Sequence, residues 1–221
     1  MQEIDLGMKS WLVALCAACG MNLAAAQAPT NPNLNAQLLV AGRSGDLAAV
    51  AQALGRGAAV DSRNRIGRTV LFMAAEKGQP ELAELVLRAG ADVNLATVER
   101  TTPLMAASYG GHAALVQRLL DAGATTDPLD RMNKPAIIYA AGQGHMAVVQ
   151  MLLDKGVAVD AAYANQLTAL MWAAGQGSAA TVKLLLDRRA NVNLRDDRGL
   201  SAADMARQAG HAAVLALLGS N

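Results

Sequence analysis

Beyond Cys19 this chain of 221 residues has no cysteine, and its two, Cys16 and Cys19, both lie near the N-terminus. A disulfide-stapled scaffold, a cysteine-ligated zinc domain, an iron–sulfur protein and a cysteine nucleophile are thereby excluded. Aromatic residues are also scarce: Trp11, Phe72, Tyr109, Tyr139, Tyr163 and Trp172 are all there are. With 53% apolar residues and only 3% aromatic, a core has to be built from small aliphatic side chains. No sign of charge dominates, since 19 Lys and Arg face 18 Asp and Glu for a formal net charge of +1. That balance argues against a basic nucleic-acid footprint and against an acidic disordered tail. Nor does any apolar run approach the roughly 20 residues needed to span a bilayer.

The run Trp11 to Cys19 follows Met8-Lys9-Ser10 and precedes Leu23-Ala24-Ala25-Ala26-Gln27-Ala28-Pro29. A short positive start, an apolar stretch and a small-x-small site are the parts of a secretory signal peptide. Residues 1–26 are expected to be removed, because cutting after Ala28 would put Pro29 directly behind the scissile bond. Glu3 and Asp5 ahead of Met8 are unusual in such a segment and leave Met1 and Met8 both open as the start. Two other readings, a buried N-terminal helix and a lipid anchor on Cys19, compete less well. For the second, Cys16-Ala17-Ala18-Cys19 has cysteine where a lipobox wants Leu or Val. The expected product is exported and not inserted in a membrane after cleavage, with 27–34 as a linker.

What the chain has in abundance is a period. Glycines fall at 45, 78, 111, 144, 177 and 210, each 33 residues after the last. A second comb holds Gly57, Gly90, Gly123 and Gly156, with Arg189 in the next position. Alanines recur at 41, 74, 107, 140, 173 and 206. A leucine or valine column runs through Leu54 (one slot late), Val86, Leu119, Leu152, Leu185 and Leu218. Such a fixed period marks a stack of similar units. Within one unit, Thr102-Pro103-Leu104-Met105-Ala106-Ala107 predicts a helix start. Thr102 can cap it, Pro103 suits a first turn that needs no N–H, and the alanines admit a close neighbour. Gly111 ends that helix. A second is expected from His112 to Leu120, where Leu115, Val116, Leu119 and Leu120 share one face and Gly123 suits a left-handed end.

These residues resemble the ankyrin repeat. Gly90-Ala91-Asp92-Val93-Asn94, Thr102-Pro103-Leu104, Gly111-His112 and Asn191-Val192-Asn193 are the landmarks, and the resemblance covers about residues 35–221. It implies an all-α repeat fold, an α-solenoid of six helix–turn–helix–hairpin units. Their expected limits are about 35–63, 64–96, 97–129, 130–162, 163–195 and 196–221, the first and last being caps. One unit cannot bury its apolar face alone, so stacking supplies the stability. The histidine of the family's Thr-Pro-Leu-His motif is replaced by Phe72, Met105, Ile138, Met171 and Asp204. More packing and less polar bridging are expected at that slot.

Catalytic chemistry finds no constellation here. Gly-x-Ser-x-Gly, His-Glu-x-x-His and Gly-Lys-Ser/Thr patterns do not occur, so no enzyme activity and no cofactor are expected. His112, His145 and His211 share one slot, one per unit, too dispersed for ligands that must sit near 2 Å from a metal. They read as helix-start residues at the junctions. Asp61, Asp92, Asp127, Asp154, Asp160 and Asp187 read as turn and cap residues. Met73, Met105, Met146, Met151, Met171 and Met205 fall on the predicted helices, so with Met132 they read as core filling rather than soft-metal ligands.

Positions that do not follow the period are free to serve a partner. In the implied architecture, hairpin tips and the exposed flank of each first helix line a concave groove. The expected contact residues are Arg65, Arg68 and Lys77, then Tyr109, Arg131, Tyr139, Gln143, Tyr163, Trp172 and Gln176, with Met132, Lys134, Asn165 and Leu167 in neighbouring slots. Tyr139 and Trp172 occupy one slot, and Gly142 and Gly175 should leave their rings partly uncovered. The competing reading packs both rings between helices. Trp, Tyr and Arg are the types enriched in interface hot spots. Aromatics would therefore anchor a partner while the basic hairpins steer an acidic segment of it. The last helix, His211 to Leu218, has no charge after its start, so a weak homodimer through that cap stands beside a monomer. Together with a resemblance to the small signal-bearing ankyrin proteins of Gram-negative bacteria, these features imply an exported, non-catalytic module, bacterial and either periplasmic or secreted. It would regulate, inhibit or protect another protein such as an exported enzyme or toxin; the alternative is a secreted effector engaging host proteins.

Overall fold

The helices begin where a short polar side chain can accept from the first free backbone N–H groups. In the computed structural model, which describes residues 31–219, Asn31 does this for α1 (Pro32–Ser44), accepting from the N–H of Asn33 at 3.0 Å. This helix therefore starts inside the stretch 27–34 read as linker. The expected signal peptide, 1–26, lies outside the described residues. There follow α2 (Leu47–Gly55), α3 (Val70–Lys77), α4 (Pro80–Arg88), α5 (Pro103–Tyr109) and α6 (Ala113–Asp121). Then come α7 (Ala136–Gly142), α8 (Met146–Asp154), α9 (Ala169–Gly175), α10 (Ala179–Asp187), α11 (Ala202–Gln208) and α12 (Ala212–Gly219). Thr69, Thr102, Thr168 and Ser201 cap α3, α5, α9 and α11, each accepting from the N–H three residues on. No strand occurs among the described residues.

Consecutive helices pair, α1 on α2 through α11 on α12, and like helices stack, the odd-numbered in one layer and the even-numbered in the other. Residue size decides this spacing. Ala74, Ala107, Ala140, Ala173 and Ala206 are fully buried in the odd layer, where a side chain no larger than methyl lets neighbouring helices approach. The even layer supplies bulk: Val86, Leu119, Leu152 and Leu185 are also fully buried. Each such side chain contributes about 1.5–3 kcal/mol on burial. In the first pair the corresponding slot goes to Ala53, while Leu54 is half-buried. Phe72, Met105, Ile138 and Met171 are buried at the motif slot, as expected of apolar replacements. Among the methionines, Met73 joins them, whereas Met146 and Met132 are exposed and so do not fill the core.

Polar bridges tie one pair to the next. The histidines do more than begin helices. Nε2 of His112, His145 and His211 meets the carbonyls of Glu76, Tyr109 and Gly175 at 3.4, 2.9 and 3.1 Å. Gly111 has φ 69°, and a Cβ there would run into the His145 imidazole, so this comb position needs glycine twice over. The turn carboxylates act across junctions as well: Asp61 and Asp160 accept from the N–H of Asp92 and Asn191 at 3.1 and 2.8 Å.

Candidate functional site

Ahead of each of α3, α5, α7, α9 and α11 the chain makes a five-residue hairpin loop. The N–H of its first residue donates to the carbonyl of its fifth: Asn64 to Arg68, Thr97 to Thr101, Asp130 to Lys134, Tyr163 to Leu167 and Asp196 to Leu200. The first side chain anchors the loop where it can accept. Asn64 takes the N–H of Ile66 and Arg68 at 3.1 and 3.0 Å, Asp130 those of Met132 and Lys134 at 2.8 and 2.9 Å. Asp196 takes those of Arg198 and Leu200, both at 2.9 Å, and Thr97 takes that of Thr101 at 3.2 Å. Tyr163 accepts from neither position. Its loop closes instead as a 3-10 turn, Ala164–Gln166, in which Asn165 and Gln166 both have φ 59°. In the other loops a single residue turns left-handed: Gly67, Arg100, Asn133 or Gly199.

The loops also bond tip to tip. The N–H groups of Val98, Arg131 and Asp197 donate to the carbonyls of Ile66, Glu99 and Asn165 at 3.1, 3.2 and 3.1 Å. The matching pair between the third and fourth loops, Ala164 N–H and Met132 carbonyl, is unbonded. The same junction has no imidazole bridge, because position 178 is serine and makes no bond to the Gly142 carbonyl. A cleft of about 250 Å³ opens there between Met132, Lys134, Ile138, Tyr163, Leu167 and Trp172. On the other side of Trp172 lies a second cleft of about 350 Å³, edged by Leu167, Gln176, Arg198 and Met205.

Tyr139 and Trp172 share a repeat slot but do different things. The Tyr139 hydroxyl donates to Asp130, and its ring meets Tyr109 edge-on with centroids 5.9 Å apart. Burial, and then the Asp130 carboxylate, push this phenol well above its usual 10. Tyr139 is thus a half-buried brace for the third loop. Trp172 lies beside Gly142, where a Cβ would meet the ring in ordinary contact at 3.5 Å, and Lys134 Nζ sits 4.4 Å from its ring centroid. Lys134 has no carboxylate partner among the described residues.

The other expected contact residues divide. Tyr109, at 55% exposure, and Gln143 and Gln176 face solvent. Arg65 is exposed and without a protein partner among the described residues. The remaining cations are engaged: Arg68 with Glu76 at 2.9 Å, Lys77 with the Arg43 carbonyl, Arg131 with Glu99 at 3.4 Å. Basic steering by the first hairpins is correspondingly weakened. Arg198 and Met205 were missed, although Met205 holds the same slot as Tyr139 and Trp172. The break itself had a sequence trace, Tyr163 and Ser178 standing where neighbouring units have an acceptor and a histidine.

No group of three or more His, Cys, Asp or Glu arranged to hold a metal occurs among the described residues. No described helix is long and apolar enough to cross a membrane. A family model described as ankyrin repeats, three copies, matches residues 38–130, 74–163, 107–196 and 137–221. The chain belongs to the ankyrin repeat family. No curated protein matches it. Ankyrin repeats are generally protein–protein interaction modules and typically non-catalytic scaffolds. In this ankyrin array Trp172 of an odd-numbered helix meets Tyr163 and Lys134 of the hairpin loops at one cleft.

Proposed function

We propose that this ankyrin protein is an exported binding module that holds a partner protein on its hairpin face and thereby regulates, inhibits or protects it. The observation that carries the reading is the paired cleft around Trp172, an apolar floor with polar and cationic edges on the helical stack. Aromatic side chains in such surroundings are the usual energetic centres of interfaces. Export is supported by the segment from Met8 to Ala26, a positive start, an apolar run and a small-residue site. The test pairs immobilised wild-type protein with a Trp172→Ala variant in capture from periplasmic extract, after matching their melting curves. A protein held by wild type, lost with the variant and altered in activity on release supports the reading. Failure to hold any protein reproducibly refutes it. N-terminal sequencing of exported chain should read Gln27, and an intact Met1 or Met8 would remove the export part.

A further inference from the structure

We propose that the cleft between loops 130–134 and 163–167 seats an extended peptide segment of the partner, one carrying an aliphatic side chain next to a carboxylate. This rests on the binding-module reading above and adds the place and chemistry of the grip. Three features of this junction point the same way. Elsewhere the row of tip-to-tip hydrogen bonds is closed within the protein, but here the Met132 carbonyl and the Ala164 N–H are left as an acceptor and a donor on facing loops. A main-chain segment laid between them supplies the complementary pair, as in recognition by strand addition. The walls behind, Ile138, Leu167 and Trp172, are apolar and suit a branched aliphatic side chain.

The third feature is charge. Lys134 is the cation at the mouth, and the nearby acids are committed elsewhere. Asp130 accepts from its own loop and from Tyr139, and Glu99 pairs with Arg131. Lys134 is therefore free to meet a carboxylate without giving up an existing ion pair. The far side of the same junction stays fastened by Asp154 with Arg188 at 2.8 Å and Asp160 with the Asn191 N–H at 2.8 Å. The opening is thus confined to the hairpin side and does not depend on separating the helices.

The full chain should be panned against a phage-displayed random heptapeptide library, and the enriched sequences remade as labelled synthetic peptides. The expected winners place Leu, Ile, Val or Met beside Asp or Glu. Their affinity should fall at least tenfold with Lys134→Glu, at a half-buried position, and with Trp172→Ala. It should also fall with Tyr163→Asp, which supplies the loop anchor, closes the tip-to-tip bond and removes a wall of the cleft, in a variant whose cooperative melting shows that it is folded. No enrichment over an unrelated ankyrin array overturns the proposal, as do winners that bind Lys134→Glu and Tyr163→Asp as well as wild type. A protein partner captured equally by those two variants leaves the binding-module reading standing and removes only the cleft as its seat.

Discussion

Loops 130–134 and 163–167 are neighbours in the same register, joining equivalent helices, and they differ at the residue that opens them. Asp130 gathers two backbone N–H groups and the Tyr139 hydroxyl, and its loop bonds to the one before it through Arg131. Tyr163 gathers none, its loop turns through two left-handed residues, and the bond back to Met132 is missing. One substitution of an acceptor by an aromatic ring thus removes a brace and supplies a cleft wall together. The helices beneath stay stacked across the junction through buried apolar residues such as Leu152 and Leu185, and to that extent are indifferent to the change.

That indifference is the part of the comparison with the largest expected effects. Leu119→Ala and Leu185→Ala, in the same buried slot on either side of the break, should each cost about 3 kcal/mol in urea unfolding. A much smaller loss at Leu185 would mean that the loosening reaches the core. Asp130→Ala should cost about 2 kcal/mol, since it strands two loop N–H groups and a half-buried hydroxyl. The opposite change, Tyr163→Asp, gives the fourth loop the anchor its neighbours have but removes a ring packed on the core, so stability should change by less than about 1 kcal/mol. Ser178→His should add somewhat less, about 0.5 kcal/mol, by restoring the imidazole bridge over Gly144. If Ser178→His does not stabilise, the missing bridge is not set by that residue alone.

Ionisation sharpens the same contrast. In an absorbance titration above pH 10 the Tyr139 phenol should stay protonated through the range where free tyrosine ionises, and Asp130→Asn should bring it down. The smallest effect is expected in acid. Burial works against the Asp196 carboxylate, but the N–H groups of Leu200 and Arg198 and the Arg198 guanidinium outweigh it and hold the pKa below 3.8. Asp204, fixed first by the Ser201 hydroxyl and N–H and then by Arg207, is lowered to about 2. With folded values below the ordinary one, both contributions are complete above pH about 4 and fade as pH falls toward 2. Amide NMR should therefore show loop 196–200 shifting across that window while loop 163–167, which has no carboxylate anchor, stays unchanged.

Much of the architecture was legible in the period. Thr102 as a cap, Gly111 and Gly123 as helix ends, and the buried alanine and leucine columns follow from spacing and local chemistry, which act within a few residues. The candidate site was legible by composition and not by arrangement. Tyr163, Trp172 and Gln176 do come together at the clefts, but Tyr139, chosen on the same grounds as Trp172, is turned to Asp130. Arg68, Lys77 and Arg131 were expected to contact a partner, and each is engaged within the fold. Their partners Glu76, the Arg43 carbonyl and Glu99 are brought to them by the fold, with separations that periodicity alone does not rank.

The sequence by itself determined that the chain forms paired helices repeated at 33 residues, because short-range capping, turn glycines and apolar spacing need no knowledge of distant residues. Only the tertiary structure decided that His112, His145 and His211 bridge neighbouring pairs and that the bridge and the tip-to-tip bond fail together at one junction. Those bonds run to groups about one unit away in the chain. Whether a donor meets its acceptor there depends on how the loops and helices stack, which no single repeat encodes.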